Sequence, residues 1–101
     1  MEGQASISAD ILARYAADAA QEVVGVRGVT ESPVPGRRGV RVASEDGAVR
    51  VELHLAVAWG ASLPELGREV QARVREYLGS MANANVAAVE VVVDEVAPPT
   101  P

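Results

Sequence analysis

From Val49 to Trp59 the residue character alternates without a break. Val49, Val51, Leu53, Leu55, Val57 and Trp59 fall on one side, and Arg50, Glu52, His54, Ala56 and Ala58 on the other. A period of two marks a pleated strand, with successive side chains on opposite faces of a sheet. Such a strand needs cover on its apolar side and tolerates water on its mixed side. The chain is therefore committed to a sheet with one covered face, and the rest of the sequence has to supply the cover.

Two stretches have the spacing to do so. Ile11, Leu12, Tyr15, Ala16, Ala19 and Val23 recur at helical intervals. Ser8 stands before them as an N-cap, and Asp10 lies in the first turn, where the helix dipole favours an anion. This predicts a helix over about 9–24, stopped at Gly25. Leu63, Leu66, Val70, Val74, Tyr77, Leu78 and Met81 form a second apolar stripe, opened by Ser62-Leu63-Pro64-Glu65 with the spacing of a capping box and closed by Asn83-Ala84-Asn85. On its outer surface Glu69 and Arg73 stand four apart, the spacing of a favourable ion pair.

Further strands complete the sheet. Val40 and Val42 begin one that ends near Ser44, and Glu45-Asp46-Gly47 joins it to the long strand as a hairpin turn. A last strand over 86–96 points Val89, Val91 and Val93 inward and Glu90, Val92 and Asp94 outward. Residues 4–8 alternate weakly, as a short edge strand would, and the Gly- and Pro-bearing stretch 25–39 reads as a loop. The order is (β)-α-β-β-α-β. The expected fold is α/β (α+β): a two-layer sandwich, with a mixed three- to four-stranded sheet and both helices on one face. A strand–helix–strand unit between 49 and 96 predicts a parallel pair. One domain over 1–97 is expected, followed by a Pro-rich tail at 98–101.

Composition narrows the function. With 101 residues there is room for one core and little for a deep catalytic cleft. Cysteine is absent, which removes disulfides, thiolate catalysis and thiolate metal sites. The net charge is −5 and all nine basic residues are arginine. An acidic balance disfavours nucleic acid as a partner, and direct adsorption to anionic lipid as well. No signal peptide is visible at Met1-Glu2-Gly3-Gln4, and no apolar run has the length of a membrane span, so a cytoplasmic chain without direct membrane insertion is expected.

Single residues offer little chemistry. His54 is the only histidine and falls on the polar side of the strand beside Glu52. A pH-sensitive or ligand position is one reading; an exposed sheet residue is the stronger one. No elbow motif supports a Ser-His-Asp set, and one histidine among scattered carboxylates does not make a metal site. Arg27, Arg37, Arg38 and Arg41 form the most basic local stretch, which suits an acidic partner or a solvated loop. Gly25-Val26-Arg27-Gly28 and Gly36-Arg37-Arg38-Gly39 both read GxxG, as in the loop of the KH RNA-binding module, which with the element order makes a KH-like RNA-binding module the alternative function, although that loop joins two helices. The phase of Trp59 puts it on the core side near the second helix, as a packing residue or a binding anchor. Val92, with Ala56 and Ala58, points to the open face, where an apolar group suits an interface.

The ordered set of motifs resembles the bacterial alkaline shock protein family. Its marks here are Gly3, Ile7-Ser8 and Glu22-Val23-Val24-Gly25-Val26, then Trp59-Gly60 and Leu63-Pro64, then Gln71-Ala72-Arg73-Val74, then Val86, Val89 and Val91. They span roughly 3–96. Trp59 stands where the family usually has Tyr, and Ala82-Asn83 where it usually has Thr-Gly. The resemblance implies a non-catalytic, cofactor-free protein of the cell-envelope stress response. It also implies self-association into a homo-oligomer and attachment to the membrane through an anchor protein.

Overall fold

The structure, a computed structural model, describes residues 8–30 and 39–98. Its elements are α1 (Ala9–Gln21), β1 (Val26–Val29), β2 (Val40–Glu45), β3 (Ala48–Ala58), α2 (Leu63–Ala82) and β4 (Val86–Ala97). The expected two-layer sandwich is present, with β3 as its central strand. On one side β3 pairs with β4 in parallel, Val51 opposite Val89 and Leu53 opposite Val91. On the other side it pairs antiparallel with two strands in succession, β2 along its first half and β1 along its second. The sheet is thus mixed, and β1 and β2 share one edge.

The join between them is tight. Gly39 accepts from the His54 amide at 2.8 Å, and the Thr30 amide donates to the His54 carbonyl at 2.9 Å. A Cβ on Gly39 would overlap the Thr30 carbonyl. Glycine lets β2 begin where β1 ends without breaking the ladder along β3.

The sequence expectation for 25–39 is corrected here, because Val26–Val29 is strand rather than loop. Four residues containing a glycine carry no readable period; pairing with β3 makes them a strand. The weak strand expected at 4–8 lies outside the described residues, apart from Ser8. Ser8 does cap α1, its hydroxyl accepting from the Ile11 amide at 3.2 Å. α1 ends earlier than predicted, at Gln21, and the chain turns through Gly25 at φ +100°. Ser62 precedes α2 without capping it through its side chain, so the capping-box reading does not hold. Asn83, left-handed at φ 52°, ends α2 as expected. Asp46 (φ 53°) and Gly47 (φ 80°) make the predicted hairpin turn.

Both helices cover the same face. Val51, Leu53, Leu55 and Val57 of β3 are at most 2 % exposed, and pack with Leu12, Ala16, Ala19 and Ala20 of α1 and Leu66, Val70, Val74 and Leu78 of α2. Tyr15 and Tyr77 meet edge to face, 5.8 Å between ring centres. Arg73, expected to pair with Glu69, instead donates to Glu22 at 3.3 Å, tying α2 to the end of α1. From α2, Gln71 and Arg75 reach the Val89 and Val86 carbonyls of β4, at 3.1 Å and 3.3 Å. These contacts seat the helix against the strand it leads into.

Candidate interaction surfaces

Among the described residues, two surfaces remain uncovered once the helices are in place. The first is the open face of the sheet. Register puts Arg41, Glu52 and Glu90 in one row across β2, β3 and β4, and His54 opposite Val92 in the next. Beyond that the β3–β4 register shifts between Leu55 and Ala56, so that Val93 pairs with Leu55 and Glu95 with Ala56. Asp94 is left between them as a bulge residue, and its carboxylate turns to His54.

His54 is held at both nitrogens. Nε2 lies 2.6 Å from Glu52 Oε2 and Nδ1 lies 3.0 Å from Asp94 Oδ2. The Thr30 hydroxyl donates to the same Asp94 oxygen at 3.0 Å. An ionised carboxylate only accepts, so the ring satisfies both partners when both nitrogens carry hydrogen, which is the imidazolium. The pKa of His54 is raised accordingly. The hydrogen bond that the ring donates to Glu52 is the largest cause, with partial burial opposing it and Asp94 adding to it. Chemically the arrangement is a charge clamp linking β3, β4 and the end of β1. Both ring nitrogens are engaged in this arrangement. No group of three or more candidate metal ligands occurs among the described residues.

The second surface lies at the end of the sheet where β3 leaves for α2. Trp59, placed in the core by its phase, is 67 % exposed, which corrects that expectation. The strand ends at Ala58, and Gly60 turns at φ +88°, so the pleat no longer governs where Trp59 points. Val24, in the α1–β1 turn, is 91 % exposed. Both line one depression together with Gly25, Ala61 and the buried Leu66. Gly25 packs so closely on α2 that a Cβ there would come within 2.9 Å of the Leu66 side chain. From Val24 and Glu69 the depression continues between the helices, past Glu22, Ala72, Arg73 and Glu76.

The residues singled out by sequence thus separate. Arg41, His54 and Val92 share the open face; Trp59 stands alone at the sheet end; Arg27 is exposed in the β1 bulge. Arg37 and Arg38 lie outside the described residues. Gly25-Val26-Arg27-Gly28 runs from a turn into β1 and does not join two helices, unlike the KH loop. No local signal in the sequence marks Asp94 as a partner of His54, or Val24 as a surface residue. The outward phase of Asp94 was readable, but its meeting with His54 depends on the β4 register and bulge. Val24 follows the apolar stripe of α1 directly, and only the early end of that helix frees it.

A model of the alkaline shock protein 23 family, described as having a cell envelope-related function, matches residues 1–98. The chain belongs to this family. Membership accounts for the ordered motifs from Gly3 to Val91 with a single explanation. No curated protein sequence matches. Among solved structures the chain is similar to MamM CTD. One variant is 16 % identical at a TM-score of 0.58, covering 88 % of this chain and 98 % of that one. The cadmium form of another is 16 % identical with a TM-score of 0.58, covering 87 % and 98 %. A nickel form is 15 % identical with a TM-score of 0.58, covering 88 % and 99 %. At this identity the likeness is one of fold. This alkaline shock family member carries the two-layer α/β architecture that those structures share.

Proposed function

We propose that this chain is a non-catalytic interaction module of cell-envelope homeostasis, acting as one domain over 1–97 and binding both its own kind and a membrane-anchored partner. Membership of an envelope-related family across residues 1–98 carries this reading. The side chains are consistent with it. The one histidine is engaged at both nitrogens, while the uncovered surfaces hold large apolar groups of the kind that anchor protein contacts. No described helix is long and apolar enough to cross a membrane; attachment at the envelope through a partner is the reading that the family supports. Self-association would use the open sheet face, where Val92, Ala56 and Ala58 interrupt the charges.

Fractionation of the native host tests the reading. The chain is expected in the membrane pellet, to leave it when the partner is removed, and to scatter light as more than a monomer when pure. A chain that stays entirely in the supernatant and purifies alone as a monomer would end the proposal.

A further inference from the structure

Deepening that reading, on which it rests, we infer that the depression between Val24 and Trp59 receives a basic, amphipathic segment of a partner protein, an apolar side chain entering beside Trp59 and flanking Lys or Arg meeting the rim. Three observations lead there. Val24 and Trp59 are the two most exposed large apolar side chains among the described residues, at 91 % and 67 %, and they line the same depression. Water around two such groups at one site is released on burial, which is how a Trp becomes an anchor. The floor is close-packed: a Cβ on Gly25 would come within 2.9 Å of the buried Leu66 side chain.

The third observation selects the occupant. The depression and its continuation between the helices are lined by Glu22, Glu65, Glu69 and Glu76 against one basic residue, Arg73. Arg73 is already engaged by Glu22 at 3.3 Å. Among the described residues that line the depression, the remaining glutamates outnumber the basic groups, and their negative field attracts a basic segment and repels an acidic one. The same field argues against an anionic membrane surface as the occupant. A second copy of this acidic chain is a poorer electrostatic match than a Lys- or Arg-bearing segment.

Trp59 is the only tryptophan, so its fluorescence reports the site directly in the intact chain. The probes are a short amphipathic Leu/Lys peptide and a Leu/Glu peptide of the same length. With the first, Trp59 emission is expected to move to shorter wavelength and saturate, and to do so less readily as salt rises. With the second it is expected not to move. Glu65→Gln together with Glu69→Gln keeps the fluorophore and should weaken the Leu/Lys peptide about fivefold. Equal response to both peptides, or undiminished binding by the double variant, would overturn the inference. So would a blue shift produced by protein concentration alone, which names a second copy, or by vesicles of neutral lipid, which names a bilayer.

Membrane fractionation of the same proteins separates this inference from the broader reading. Wild type absent from the pellet, with peptide binding intact, removes the membrane-partner reading and leaves the groove. Wild type and the double variant pelleting equally removes the groove and leaves the reading.

Discussion

The two faces of β3 come from one run of residues and live under different rules. On the helix side Val51, Leu53, Leu55 and Val57 are buried among aliphatic groups of α1 and α2, and stability there follows volume and shape. On the open side Arg50, Glu52, His54, Ala56 and Ala58 keep contact with water, and what holds them is charge and register. One residue of displacement along β3 therefore changes the physics of a substitution more than a move of several strands across one face. The core side tolerates few changes and gives little away about function. The open side can vary widely, and the clamp at His54 stands out because a solvated face does not require it.

The sharpest way to break this contrast is to truncate neighbours on opposite faces. Leu55→Ala leaves a cavity beneath two helices and should cost about 2–5 kcal/mol. Ala56→Ser, one residue on, should stay within about 0.5 kcal/mol. Urea unfolding of both variants measures the difference. Similar values for the two would mean that the helices do not cover the face as described.

Next in size is a change at the shared edge, where neither face decides. Gly39→Ala forces a Cβ against the Thr30 carbonyl, and both backbones are pinned to His54 by hydrogen bonds. Overpacking of this kind costs about 1–3 kcal/mol. Amide exchange should show Thr30 and His54 losing protection before the β3–β4 ladder does. Uniform loss across the sheet would mean that β1 and β2 do not depend on this junction.

The covered face was readable in advance because burial writes a period into the sequence. The alternation of β3, the stripe of α2 and the Asp46-Gly47 turn each contain their own reason. The stripe of α1 did so too, up to an end set by Gly25. β1 was not readable. Its four residues acquire strand geometry only from β3, and Gly28 blurs what period they have. Trp59 misled for the opposite reason. Its phase continues the alternation of β3, but the pleat ends one residue earlier, at Ala58. On the open face, Glu52 and His54 were visibly neighbours, two apart on one strand. Asp94 and Thr30 come from elements far away in sequence, and no local pattern encodes a bulge that aims a carboxylate at a ring. The groove at Val24 likewise joins the end of one helix to the start of another, a proximity that only the packed fold creates.

The clamp itself gives a smaller, pH-dependent effect. Folding raises the His54 pKa above its ordinary value of 6.5, because Glu52 and Asp94 hold the charged ring. A raised value in the folded state means that the stabilisation is fully present below about pH 6.5 and is lost as pH rises through the folded-state value. Glu90 and Glu95 on β4 lie on the same side, so deprotonation leaves several carboxylates facing one another, with Arg41 and Arg50 as the nearby cations among the described residues. Unfolding free energy should therefore fall as pH rises from about 6.5 through the folded-state value in the wild type. The fall should be flatter in Glu52→Gln with Asp94→Asn. An identical slope in the double variant would show that the ring is not held by these carboxylates.

The smallest effect belongs to the tie between helices. Arg73 and Glu22 meet at 3.3 Å with about half of each side chain in water, at 47 % and 51 % exposure. Solvent and salt screen such a pair, and its contribution to stability should not exceed about 0.5 kcal/mol in a double-mutant cycle of Arg73→Ala and Glu22→Ala. The pair nevertheless turns Arg73 to Glu22 at the end of α1 rather than to Glu69 and Glu76, its neighbours on α2. Glu22→Gln should thus barely change unfolding, yet weaken the Leu/Lys peptide at Trp59, because the freed guanidinium then answers the remaining glutamates. A coupling energy well above that bound would make the pair a structural brace like those of the covered face. A value near zero with weakened peptide binding would place it with the open surfaces, where charge governs recognition more than stability.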